Sequence, residues 1–104
     1  HDPCELGRGC GIYEAPREVI RSIGVLSEAA ENREKALCCG SSVANTAIND
    51  EGQRRIGARV AEELAATGAT AAVTACPLCK KSIARSNLIP VYDLAEVVAD
   101  ALPN

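Results

Sequence analysis

Two adjacent cysteines followed by a glycine, Cys38-Cys39-Gly40, impose the strictest condition on how this chain of 104 residues can fold. Successive side chains of a strand point to opposite faces, so a regular strand cannot present both sulfurs to one small centre. The pair must therefore lie where a strand ends. Gly40 can take the positive φ of a sharp turn, which would bring both sulfurs round and aim amide N–H groups at the same point. Three more cysteines frame the pair: Cys4 upstream, and the CxxC of Cys76-Pro77-Leu78-Cys79 downstream.

The CxxC falls at a strand-to-helix junction with Pro77 in the first helical turn, so both thiols share a face near the positive end of the helix dipole, which favours thiolate. Taken alone it has three readings: a thiol-disulfide redox dithiol, half of a zinc site, or a clamp on an iron–sulfur cluster. The dithiol leaves Cys4, Cys38 and Cys39 without a role. Zinc asks for four thiolates in a tetrahedron, typically from two knuckles, and only one knuckle is present. A cubane cluster also takes four, one per iron. Five candidates, Cys4, Cys38, Cys39, Cys76 and Cys79, exceed that number, so either one is spare or the cluster is not a simple cubane. Three disulfides are the remaining use of six cysteines, but such frameworks belong to small, loop-rich secreted folds, whereas this chain has long helical patterns. A reducing cytoplasm with metal-held thiolates fits better.

The rest of the chain alternates helical and extended signals. His1-Asp2-Pro3-Cys4 reads as a strand end entering a loop. Gly7, Gly9 and Gly11 make a close-approach segment with Arg8 in its middle; Gly7-Arg8-Gly9-Cys10-Gly11 lacks the third glycine of a dinucleotide fingerprint. Pro16, Arg17 and Glu18 open a helix that Gly24 ends, with Val19, Ile20 and Ile23 on its apolar face. Val25 to Leu37 suggests two short strands, or a strand with an irregular partner, around a solvated Glu31-Asn32-Arg33-Glu34-Lys35 turn. Ser41 to Thr46 reads as a loop beside the cysteine site. Asn49 or Asp50 caps a long helix with Ile56, Val60 and Leu64 on its buried stripe and Gly68 beyond its end. Residues 69–75 form a small-apolar run suited to a buried parallel strand that ends on Cys76. A helix from Pro77 through Arg85 follows, then an edge strand at Ile89-Pro90-Val91-Tyr92. Asp93 and Glu96 form a capping-box pair for a last helix, with Leu94, Val97, Val98 and Ala101 directed inward. The expected class is α/β: a small three-layer domain with a short, partly parallel sheet and about four helices.

Composition narrows the partners. Tyr13 and Tyr92 are the only aromatics, and with no Trp, Phe or Met the core must be aliphatic. Eleven Lys and Arg interspersed with fourteen acids leave a net charge of -3 and no basic stripe, which argues against nucleic acid. No apolar run approaches the roughly 18 residues of a membrane span. Residues 1–104 are expected to be one domain, and the opening at His1, directly on a cysteine motif, suggests a segment of a longer polypeptide.

The order and spacing resemble a known family. Cys4, 33 residues, Cys38-Cys39-Gly40, with 36 residues between Cys39 and Cys76, then Cys76-Pro77-Leu78-Cys79 is similar to the cysteine-rich CCG domain found in the B-type and D-type subunits of heterodisulfide reductase. The same domain occurs in glycolate oxidase, anaerobic glycerol-3-phosphate dehydrogenase and lactate-utilisation subunits. His1-Asp2-Pro3-Cys4, Gly11 to Glu18, Ala36 to Gly40, Thr74 to Pro77 and Val91 to Glu96 all look like family blocks. The resemblance implies an iron–sulfur cluster, 4Fe-4S and non-cubane, with Cys4, Cys38, Cys39, Cys76 and Cys79 all as ligands. It implies electron transfer to or from a disulfide or hydroxy-acid substrate, by way of a second CCG domain and ferredoxin-like or flavoprotein subunits. It also implies a cytoplasmic location, with access to the inner face of the membrane through those partners. The isolated domain is not expected to be active alone. Ser41-Ser42 stands where many relatives continue with glycines, so the loop could approach the cluster less closely or its hydroxyls could donate hydrogen bonds to sulfide. Cys10 reads as a spare thiol, Lys80 and Lys81 as solvated. His1 has two open readings, a donor or proton relay beside the cluster and a histidine packed at a strand end.

Overall fold

A computed structural model describes residues 1–41 and 48–102. The chain forms a π-helical turn Glu5–Gly9, helix α1 Glu14–Ile23, a 3-10 turn Arg33–Lys35, helix α2 Asp50–Ala65, strand β1 Ala72–Thr74, helix α3 Pro77–Ala84, strand β2 Val91–Asp93 and helix α4 Leu94–Ala101. Local chemistry accounts for most of these limits. Asn49 caps α2 by accepting the Gly52 N–H at 2.8 Å, and Gly68 turns the chain away beyond α2 with φ of +77°. Pro77 occupies the first turn of α3. Asp93 and Glu96 make the reciprocal capping box of α4. Helix α1 begins at Glu14, two residues before Pro16, because proline is tolerated throughout a first turn.

The two strands pair in parallel, Ala72 with Val91, Val73 with Tyr92 and Thr74 with Asp93. Ala72 donates to Pro90 O, so its neighbour Val73 turns its carbonyl to the opposite edge. There the backbone nitrogen of His1 donates to it at 2.8 Å, laying the start of the chain along β1. Helices α3 and α4 contact both strands, α2 packs on α3 and α1 on α4, the layered α/β arrangement expected from the sequence. The core is aliphatic, as the composition required: Val60, Ala61, Leu64, Ala72, Ile83, Ile89 and Val91, together with the two thiols Cys39 and Cys79. Gly57 is what lets α2 approach α3, since a Cβ there would stand 2.8 Å from the Ser82 carbonyl oxygen.

Three expectations are corrected. No strand forms between Val25 and Leu37; side chains, not a ladder, hold that segment, with Glu31 N–H on Glu63 and Arg33 N–H on Asp2, and Arg33 has a left-handed φ of 55° that breaks any extension. Of the charges in that turn, Glu34 and Lys35 are exposed as expected, but Arg33 is engaged in ion pairs with Glu14 and Glu28. On α4, Leu94, Val97 and Val98 are the half-buried side, as expected, but Ala101 is exposed rather than directed inward. Of the segment Ser41 to Thr46, read as a loop, only Ser41 falls within the described residues.

Candidate metal centre

Two chain-distant segments bring thiols together at the C-terminal end of β1. Cys76 caps α3, and Cys79 lies one turn further on the same face. Cys39, at the end of residues 36–40, reaches this corner, and its sulfur is hydrogen-bonded to that of Cys79. Cys76 is also hydrogen-bonded to Cys79, so Cys79 stands between two partners. Cys39 and Cys79 are 5% and 4% exposed, which removes water as an alternative partner for either sulfur. Cys38 is half-buried and its sulfur accepts the Gly40 N–H at 3.4 Å.

The two buried thiols titrate as a pair. The bond from Cys79 pulls Cys39 down to about 6; burial opposes this, and the backbone and hydroxyl of Ser41 assist it. Cys79 is pushed up, first by its bond to Cys39, then by burial and by the charge on that neighbour. One proton therefore leaves near neutrality and the second is held.

Cys4 stands half-buried at the head of the π-helical turn, where its carbonyl accepts the Gly9 N–H at 2.9 Å. Its sulfur makes no hydrogen bond to the other thiols among the described residues. Cys10 is exposed. Among the described residues, no cluster of three or more His, Cys, Asp or Glu side chains is arranged to hold a single metal ion.

Residues that carry no sulfur set this geometry. Gly40 has φ of +89°, and a Cβ there would lie 2.9 Å from Gln53 O and 3.3 Å from Ile56 Cβ, so the turn after the vicinal pair admits only glycine. The buried Ser82 hydroxyl donates to the Cys39 carbonyl. Arg8 donates to Ala36 O at 2.6 Å and to Glu34 O at 3.3 Å, tying the glycine-rich loop to the segment that delivers Cys38. His1 bonds through Nε2 to Leu37 O at 2.8 Å; a carbonyl only accepts, so Nε2 carries the proton and Nδ1 is left as an acceptor. The ring is half-buried and tied to the segment that delivers Cys38. Nδ1 and Thr74 Oγ1 are both buried without a partner among the described residues, and both residues line a cavity of about 130 Å³.

Arg17 locks the start of the chain that leads to Cys4. Its guanidinium meets both oxygens of Asp2, at 2.7 and 2.6 Å, and those of Glu28 at 2.6 and 3.1 Å, and it also donates to Tyr13 O. Burial works against the Asp2 charge, but the Arg17 bonds and the Arg33 N–H outweigh it and hold the carboxyl below its ordinary value. Arg17, Asp2, Arg8 and Ser82 were not legible as site residues. Only Gly57 and Ser82, a glycine inside a helix and a hydroxyl on a helix's apolar side, hinted at a close helix contact.

Fold and site together define a small cysteine-rich α/β domain whose thiols gather where a parallel strand meets a helix. Residues 1–84 match the cysteine-rich domain family CCG, and the chain belongs to that family. It is 36% identical over 111 residues to the probable membrane-anchored ferredoxin of Chromohalobacter salexigens, covering 100% of this chain and 17% of that protein. Identity is 35% over 109 residues to the D-type subunit of the dihydromethanophenazine:CoB--CoM heterodisulfide reductase of Methanosarcina barkeri, covering 98% of this chain and 27% of the relative. With the probable iron-sulfur-binding oxidoreductase FadF of Bacillus subtilis it is 30% over 111 residues, covering 98% and 16%. No solved structure matches. The chain thus spans from 16 to 27% of the length of these relatives, which are named as iron–sulfur or heterodisulfide-reducing redox proteins. No described helix is long and apolar enough to cross a membrane.

Proposed function

We propose that Cys4, Cys38, Cys39, Cys76 and Cys79 bind an iron–sulfur cluster of 4Fe-4S composition and non-cubane form. In this reading the domain carries electrons to or from a disulfide or hydroxy-acid substrate within a redox complex. A second CCG domain and ferredoxin-like or flavoprotein subunits would complete the path, at the cytoplasmic face of a membrane where a partner is anchored there. The observation that carries the reading is the meeting of Cys39, Cys76 and Cys79, sulfurs from two segments 36 residues apart, at one buried corner.

The residues present fit such a group. Soft thiolates are the donors that iron–sulfur clusters take. Cys39 ionises readily, and the Gly40 N–H and the Ser41 backbone and hydroxyl donate to the ligand sulfurs, which in iron–sulfur sites tunes the potential. When bound, the group supplies reversible electron storage and iron atoms able to take a substrate sulfur. The chain's own part is to hold two neighbouring sulfurs on one side through Gly40, to exclude water with Val60, Ile83 and Val91, and to anchor Cys4 through Asp2 and Arg17.

The test is iron and acid-labile sulfide analysis of the full-length protein purified without oxygen, with serine replacing each of the five cysteines in turn. A brown protein with broad visible absorption, losing iron in each variant, is expected. A colourless protein holding zinc in stoichiometric amount overturns the assignment, and retention of full iron by C4S removes Cys4 from the ligand set.

A further inference from the structure

We propose that Cys39 and Cys79 close a disulfide when the cluster-free protein meets a low-molecular-weight disulfide, locking the ligand corner until a reductant reopens it. The bond needs no particular identity for the cofactor, because the contact belongs to the chain itself.

The two thiols lie far apart in the sequence, yet both are buried in the core and their sulfurs are hydrogen-bonded. The backbone around them is pinned. Ser82 is three residues beyond Cys79 on the same face of α3, and its hydroxyl donates to the Cys39 carbonyl. Gly57 of α2 closes over this junction, its Cβ direction lying 3.0 Å from Ser82 Oγ and 3.4 Å from Cys39 O. Holding the Cys39 carbonyl to the Cys79 helix turn keeps the sulfurs adjacent, the arrangement that intramolecular exchange requires.

Cys76 supplies the way in. It is half-buried, whereas its two neighbours are shielded, and it is bonded to Cys79. The Cys76 thiolate attacks one sulfur of the external disulfide and expels the first small thiolate. Cys79 then attacks the Cys76 sulfur and expels the second, giving a Cys76–Cys79 bond. Cys39 attacks the Cys79 sulfur and releases the Cys76 thiolate. Two protein thiols lose two electrons, one external disulfide gains them, and the two protons end on the two small thiols. The resting product is the inner bond because Cys39 and Cys79 are the pair away from solvent and from external thiols, while Cys76 remains the sulfur a reductant can reach.

The full-length protein, stripped of metal by a chelator without oxygen, would be exposed to oxidised glutathione, quenched with acid and mapped by peptide mass spectrometry. The expected wild-type product joins the Cys39 and Cys79 peptides and reverts with dithiothreitol; C39S should stop at Cys76–Cys79, and C76S should reach the inner bond at least ten-fold more slowly. A wild-type bond mapping to Cys76–Cys79, or no loss of these thiols, overturns the Cys39–Cys79 assignment without any variant having to fold. An unchanged rate in C76S overturns the route through Cys76. Failure of cluster binding would leave the mapped bond as it is, so the two readings fail separately.

Discussion

Replacing Arg17 by Met should cost this domain much of its stability, and more at neutral pH than in mild acid. Arg17 and Asp2 are 5% and 8% exposed, and among the described residues the guanidinium is the only cation that meets both Asp2 oxygens. With Met in its place, Asp2 keeps the Arg33 N–H at 2.7 Å as its one described donor. Removing one partner of a buried pair typically costs about 3–5 kcal/mol, since the remaining charge stays buried and unpaired. With a urea slope of roughly 1–3 kcal/mol per molar, the midpoint should fall by at least about 1 M. The sign of the pH effect follows from Asp2. In the native protein its carboxyl is held below the ordinary value, so the stability it contributes is present above its unfolded pKa and lost as pH falls through the lower folded one. In R17M the same carboxyl is desolvated without its cation and its pKa rises, so the folded state takes up a proton first and the penalty shrinks as pH drops from 7 toward 4. Urea denaturation of wild type and R17M at several pH values measures both effects. A penalty under about 1 kcal/mol, or one that stays flat between pH 7 and 4, would refute the account of Arg17 as the lock on the chain leading to Cys4.

Other changes test other parts of the site. Gly40→Ala forces a side chain into φ of +89° and 2.9 Å from Gln53 O, so about 1–2 kcal/mol of conformational strain adds to a backbone clash, and iron retained per chain after reconstitution should drop by more than half. Full retention would show that the vicinal pair does not need this turn. Thr74→Val removes a hydroxyl buried without a partner among the described residues, and thermal melting should show a gain of up to about 1 kcal/mol; a loss of that size would reveal a partner for Oγ1. Cys10→Ser, at an exposed position, should leave stability within about 0.5 kcal/mol and iron content unchanged; a loss of iron brings Cys10 into the ligand set.

Sequence alone determined what short-range chemistry decides. The caps at Asn49 and at Asp93 with Glu96, the proline in the first turn of α3, the glycine after the vicinal pair and the aliphatic core all follow from a residue and its near neighbours. The spacing of Cys4, the vicinal pair and the CxxC led directly to the family that residues 1–84 match. Tertiary structure decided the rest. No local signal says that Cys39 rather than Cys76 is the first partner of Cys79, or that Asp2, Arg17 and Glu28 form a buried lock, since each contact joins segments whose separation carries no periodicity. The residues from Val25 to Leu37 misled for the same reason. Their apolar start and short Ala36-Leu37 run suit strands, but they are held by Glu63 and Asp2 from elsewhere in the fold, and a segment held by side chains leaves no ladder pattern in its own sequence.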